Sequence, residues 1–161
     1  MTVDLGYGSH FPMVALAVQE TDCAVLELGA GWWSTPMLHE LCRASGRYLL
    51  TVETKPDWLA LFEQFRSPEH ELLLVSEDDA GLDRVPIEGR LWGCAFVDHA
   101  PGTRRVRDIE RLRKHAALIV VHDTEEKGYG YEPLLSSFKH RRDYGVFHPR
   151  TTIVSDMRPI P

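Results

Sequence analysis

Two glycines two positions apart, directly after a short apolar run, constrain this chain more than any other feature. In Ala24-Val25-Leu26-Glu27-Leu28-Gly29-Ala30-Gly31-Trp32-Trp33-Ser34-Thr35 apolar residues bracket one acid, and a Ser-Thr-Pro then leads into an apolar-periodic segment. That order reads as a buried strand, a tight turn and a helix start. Glycine lets the backbone turn sharply and come close to a ligand, while the free amides of a first helical turn meet its polar groups. The stretch is therefore a candidate nucleotide site. Glu27 is costly to bury without hydrogen bonds, and its carboxylate accepts from amines or turn amides but repels pyrophosphate. A dinucleotide fold also carries a third glycine, and Trp33 stands at that position. The site reads as one built for a cation.

The rest of the chain repeats the strand-turn-helix unit. Residues 12–19 read as a short helix ahead of the glycine strand. After Thr35, Pro36 suits a first helical turn, Met37, Leu38, Leu41 and Cys42 form one face, and Ser45-Gly46 ends the helix. Residues 47–52 form a second strand closing at Glu53, followed by a helix with Trp58, Leu61, Phe62 and Phe65 at i, i+3, i+4 and i+7. Further strands are expected at 71–75, 91–97 and 116–121. Residues 144–147 and 151–155 are β-rich but separated only by His148-Pro149-Arg150, too few for a crossover, so they should pair as an antiparallel hairpin. The expected fold is α/β: a three-layer Rossmann-like sandwich with a mostly parallel seven-stranded sheet and an antiparallel last strand.

At 161 residues the chain reads as one domain, and its formal charge of -6 disfavours a non-specific nucleic-acid partner. Cys23, Cys42 and Cys94 are odd in number and set among apolar neighbours, which reads as buried thiols in a reducing, cytoplasmic compartment. No apolar run reaches membrane-spanning length.

Polar residues gather where the strands should end. Glu53 lies 22 positions beyond Gly31, at the tip of the adjacent parallel strand, where a carboxylate can accept both ribose hydroxyls of an adenosine ligand. Ser76-Glu77-Asp78-Asp79 is either a contact for the adenine amino group or a solvated loop. Asp98-His99 and His122-Asp123 place two His-Asp pairs on neighbouring tips, and histidine suits a general base near neutral pH. His99 or His122 is the expected base, with Asp98 and Asp123 to orient it. Arg104 and Arg105 sit at a helix start, where cations oppose the helix dipole, so they read as a clamp for an acidic group on an acceptor or as solvated side chains. The leader Gly6-Tyr7-Gly8-Ser9-His10 is a solvated arm or a lid from which Ser9 or His10 reaches the ligand.

On these residues the chain resembles the class I S-adenosylmethionine-dependent methyltransferases, with Phe96-Val97-Asp98-His99 and Ile119-Val120-Val121-His122-Asp123-Thr124 most similar to small-molecule O-methyltransferase-type members. The resemblance implies S-adenosyl-L-methionine as cofactor, held by Ser9, Glu27, Gly29, Ala30, Gly31, Trp33, Ser34, Thr35, Glu53, Thr54, Ser76, Glu77, Asp98 and His99. It also implies a small-molecule or peptide acceptor, anionic if His10, Arg104 and Arg105 bind it. Catechol-type members hold a divalent metal with acids at the positions of Asp98 and Asp123. Here Asp123-Thr124 replaces the usual Asp-Asn pair, so no metal is assigned. Trp32 and Trp33 should crowd the methionine end, and a homo-oligomer could complete a small open site. The alternatives are a lyase or hydrolase on the same cofactor, a binding module without turnover, and an NAD-dependent oxidoreductase.

Overall fold

A computed structural model describes residues 8–161; the leader up to Tyr7 lies outside the described residues. Seven strands form one sheet in the order β3-β2-β1-β4-β5-β7-β6. They are β1 (Ala24–Leu28), β2 (Leu49–Glu53), β3 (His70–Leu74), β4 (Trp92–Val97), β5 (Ala116–His122), β6 (His140–Tyr144) and β7 (Thr151–Ser155). The first five run parallel, and β7 pairs antiparallel with both β5 and β6, as the short hairpin connection requires.

Alternation along the strands sorts side chains onto two faces. Val25, Leu49, Cys94, Phe96, Leu118, Val120 and Ile153 face α1 (Phe11–Gln19) and α2 (Ser34–Ser45). Leu26, Leu28, Leu50, Val52, Val97, Ile119 and Val121 face α5 (Arg105–Leu112) and α6 (Tyr131–Leu135). β4 and β5, covered on both sides, are apolar throughout except at the tip, while β6 at the edge is polar. α2 closes on Gly46 in the left-handed conformation, φ 64°, a position glycine fills without strain.

Four expectations are corrected. The sixth strand lies at His140–Tyr144, not 144–147, because the edge strand needs no apolar alternation; Val146 and Phe147 are exposed in the hairpin loop. The helix after Glu53 is a single α-turn, α3 (Pro56–Leu59), continued as a 3₁₀ segment over Ala60–Phe65. The tighter winding turns Leu61 off the buried stripe and leaves Phe62 inside. Leu41 is likewise exposed. Cys23 is exposed just before β1, whereas Cys42 and Cys94 are buried. The third crossover is short, as expected, with only α4 (Asp79–Asp83) and a 3₁₀ turn. No helix among the described residues is long and apolar enough to cross a membrane.

Candidate active site at the strand tips

The glycine turn leaves β1 with Gly29 at φ 95°, a backbone that side chains rarely adopt. A Cβ there would stand 2.8 Å from the Asp98 carbonyl, so the turn is packed directly against the tip of β4. From beneath, the turn is braced rather than opened to a ligand. The Gly31 amide donates to Thr35 Oγ1 (2.9 Å), which donates to Glu27 Oε2 (2.9 Å), and Thr51 Oγ1 donates to the same oxygen (2.7 Å). Having spent its proton on Glu27, Thr51 accepts from His70 Nε2 (2.9 Å), and His70 Nδ1 accepts from His39 (3.0 Å). Glu27 is fully buried. Burial raises its pKa to about 7 against the lowering influence of Ser34, Thr51 and Thr35. The expected contact between Glu27 and a ligand is thus replaced by an indirect role through Thr35.

Above the turn lies a pocket of ≈ 480 Å³ at the C-terminal tips of β1, β2, β4 and β5. Glu53 stands at one end. Its Oε2 accepts from the Ala30 amide (3.2 Å), and its Oε1 accepts from the Thr54 (2.6 Å) and Lys55 (3.0 Å) amides. One oxygen is therefore saturated by the turn that starts α3. Oε2 keeps a free lone pair, enough for one ribose hydroxyl rather than two in this side-chain conformation. Trp58 donates from Nε1 to the Ala30 carbonyl (2.7 Å) and lines the same end.

The opposite end holds the His-Asp pairs. Arg105, 6 % exposed, donates to the carbonyls of His99 (2.5 Å) and Asp98 (2.9 Å). It also pairs with the carboxylates of Asp98 (3.1 Å) and Asp123 (3.2 Å). Asp123 takes φ 57°, a left-handed conformation aspartate tolerates, as the chain turns out of β5. His122 Nδ1 lies 3.3 Å from Asp98 Oδ2, and its Nε2 meets Ser9 Oγ at 2.9 Å. Because Ser9 donates to the Pro149 carbonyl (2.6 Å), it accepts from His122 Nε2–H. Burial works against a charged His122, but the hydrogen bond and charge of Asp98, with Asp123 behind it, outweigh burial and raise its pKa. His10 stacks on Phe96 (4.7 Å between ring centroids) and meets His122 edge-on (4.8 Å). Both its ring nitrogens are buried without a partner among the described residues. Burial, with His122 beside it, lowers its pKa to about 4.

His99 is held by Asp108 at 3.1 Å, leaving Nδ1 without a partner among the described residues. Burial pushes the Asp108 carboxyl up, but His99, Arg104 and Arg111 outweigh it and hold the group at about 2. Arg104 is 5 % exposed and shared among Asp79 (2.7 Å), Asp83 (2.6 Å) and Asp108 (3.0 Å). Its guanidinium is ringed by three carboxylates and does not line the pocket, which corrects the expected arginine clamp; of the two arginines Arg105 reaches the pocket, and carboxylates already flank it.

Of the residues singled out in the sequence, Gly29, Ala30, Glu53, Asp98, His99, Arg105, His122 and Asp123 line one pocket. Gly31, Ser34, Thr35 and Thr54 support it from below or beside, and Ser9 and His10 lie behind His122. Ser76 and Glu77 do not line it: Ser76 donates to Asp78, which caps α4 through the Gly81 amide. Trp32 is exposed and packs on Trp58 and Phe62, and Trp33 packs on Gly8, so neither crowds the pocket. Lys55, Trp58 and Pro149 line it without having been singled out. Trp58 was hidden in an apolar stripe, and Pro149, whose carbonyl accepts from Ser9 across 140 positions of the chain, is brought in by the hairpin fold.

No protein-family model and no curated protein matches the sequence. Solved structures do match in fold. An O-methyltransferase from Bacillus cereus in complex with SAH (S-adenosylhomocysteine) is 16% identical, covers 96% of this chain and 82% of its own, and superposes with a TM-score of 0.66. An SAH-bound methyltransferase from Podospora anserina is 14% identical over 96% of this chain and 79% of its own, TM-score 0.69. A spermidine synthase in complex with the transition-state analogue AdoDATO is 12% identical over 95% of this chain and 60% of its own, TM-score 0.64.

Proposed function

We propose, on a chain that has the class I S-adenosylmethionine-dependent methyltransferase fold, that it moves a methyl group to an oxygen or nitrogen of a small-molecule or peptide-borne acceptor. The observation that carries the reading is one pocket with a glycine turn and Glu53 at one end and two His-Asp pairs at the other. Its lining fits the cofactor. Glu53 Oε2 offers a lone pair to a ribose hydroxyl, Trp58 offers an apolar wall, and three carboxylates face two cations, which suits a positively charged ligand. When bound, S-adenosylmethionine supplies a methyl group on a cationic sulfur.

The chain's own work is alignment and proton removal. Arg105 fixes the backbone and carboxylate of Asp98, so the β4 tip is rigid beside the glycine turn. His99 and His122 stand at the acceptor end, and one of them takes the proton of a hydroxyl acceptor. A neutral or cationic acceptor fits this lining better than an anionic one, because both arginines are committed to acids.

Calorimetric titration of the protein with S-adenosylmethionine, S-adenosylhomocysteine and NAD, repeated on Glu53→Ala, tests the reading. Binding of the first two, weakened in the variant, supports it; binding of NAD alone, or of none, overturns it. The spermidine synthase match makes a second reading concrete, since one fold serves different reactions. Cofactor breakdown without methyl transfer across an acceptor panel would identify a lyase or hydrolase instead.

A further inference from the structure

His10, Asp98 and His122 bring a nitrogen, an oxygen and a nitrogen within 4.8 Å of one another behind the acceptor end of the pocket. The three come from distant parts of the chain: the N-cap of α1 and the tips of β4 and β5. Ser9 takes the Nε2–H of His122, so Nδ1 is the ring atom that faces the carboxylates, 3.3 Å from Asp98 and 3.4 Å from Asp123, where a second ring proton or a metal ion in its place satisfies it. His10, 3 % exposed, adds an imidazole with no hydrogen-bond partner on either nitrogen among the described residues. A buried imidazole in that state costs stability and is rarely kept without a ligand.

We propose that His10, Asp98 and His122 bind a divalent transition-metal ion of the zinc type, with an open coordination position facing the pocket. Two imidazoles and one carboxylate are the donor set of three-ligand catalytic sites and favour zinc-like ions over magnesium or calcium. The supporting shell is in place: His122 donates its other N–H to Ser9, and Asp98 Oδ1 is held by Arg105 at 3.1 Å. Charge also permits it, since Asp98 and Asp123 share one arginine and leave a negative charge to balance. Asp98 and His122 line the pocket, which supplies the entry path. Donor atoms around tetrahedral zinc stand about 3.3 Å apart. The His122–Asp98 pair already has that spacing, and His10 closes the remainder by a small turn of its ring.

This site is not the acidic pair implied by the catechol-type resemblance, because Asp123 is drawn to Arg105 and imidazoles take over the donor role. Ion binding does not depend on the methyltransferase reading; only what the ion does for an acceptor rests on that reading. With His122 engaged, His99 remains as the imidazole that receives a proton.

The test uses the full chain without a polyhistidine tag, treated with chelator and titrated with Co²⁺ by visible absorption and with Zn²⁺ by calorimetry. One equivalent should bind with micromolar or tighter affinity and develop the absorption of a low-coordinate cobalt site. His10→Phe keeps the stacking on Phe96 and should weaken binding about 100-fold, and Ser9→Ala about 10-fold, with far-ultraviolet dichroism unchanged. His39→Gln, which alters the other close histidine pair, should bind as the parent does. Absence of a cobalt band and of heat at millimolar ion overturns the proposal, as does undiminished binding by His10→Phe. Imidazole signals of His122 that stay those of a protonated ring in saturating Zn²⁺ overturn it too. S-Adenosylhomocysteine titration of the metal-free protein reads the cofactor separately, so the two proposals fail independently.

Discussion

The two ends of the pocket differ in how completely their polar groups are satisfied. At the nucleoside end Glu53 accepts from three backbone amides and Glu27 Oε2 from two threonines, so the acids there hold the turn in shape, and Glu27 Oε1 is the single buried side-chain atom there without a partner among the described residues. At the acceptor end, among the described residues, His10 has no partner, His99 has one free nitrogen, and Thr151 Oγ1, beside His122 across the β5–β7 pair, has none. Groups left short of partners cost stability and are kept where a ligand completes them. The contrast teaches that the turn end is built for rigidity and the acceptor end for an incoming species.

Gly29→Ala tests the joint between the two ends and should have the largest effect. The positive φ and the 2.8 Å approach to the Asp98 carbonyl force either the turn or the β4 tip to move. A loss on the order of 4 kcal/mol in denaturant unfolding is expected, together with loss of cofactor binding. An unchanged midpoint would mean that the two ends are not mechanically joined.

Glu27→Gln sharpens the account of the braced end through pH. The folded pKa of Glu27, about 7, lies above its ordinary value of 4.5, so between these pH values the folded state keeps a proton that the unfolded state has released. Stability therefore falls as pH rises from 4.5 to about 7 and levels off above. The variant lacks this term, so the difference between the two proteins should grow by roughly 3 kcal/mol over that window in paired melts. A pH-independent difference would show that Glu27 stays ionised throughout.

Glu53→Ala should weaken S-adenosylhomocysteine about 30-fold, on the order of 2 kcal/mol, by removing a charged acceptor at the ribose position. Calorimetry reads it directly, and equal affinity would move the ribose elsewhere in the pocket. The smallest effect has the opposite sign. His10→Phe removes two buried nitrogens without a partner among the described residues while keeping a ring on Phe96, and should stabilise the chelator-treated, metal-free protein by about 1 kcal/mol. A destabilised variant would mean that His10 is satisfied in solution and that the contrast between the ends is false.

The parts of the site legible in the sequence are those encoded by neighbours along the chain. Gly29 and Gly31 after an apolar strand, Glu53 at the next strand tip, and a hairpin too short for a crossover are local patterns, and each led to the observed element. The edge strand β6 was misplaced because His140-Arg141-Arg142-Asp143 carries no apolar alternation. Arg104 could not be sorted from Arg105 by adjacency. The first turns toward Asp79 and Asp83 on α4, and the second toward the strand tips.

By itself the sequence determined the sheet, its parallel strands, the antiparallel last strand and the row of polar tips, because these follow from hydrophobic period and connection length. Only the tertiary structure decided which side of the glycine turn Glu27 serves, and which of two arginines reaches the pocket. It alone also placed His10 against Asp98 and His122. Those outcomes depend on which face of the sheet a side chain takes and on what packs over it, and no spacing along one chain records the meeting of residues 10, 98 and 122.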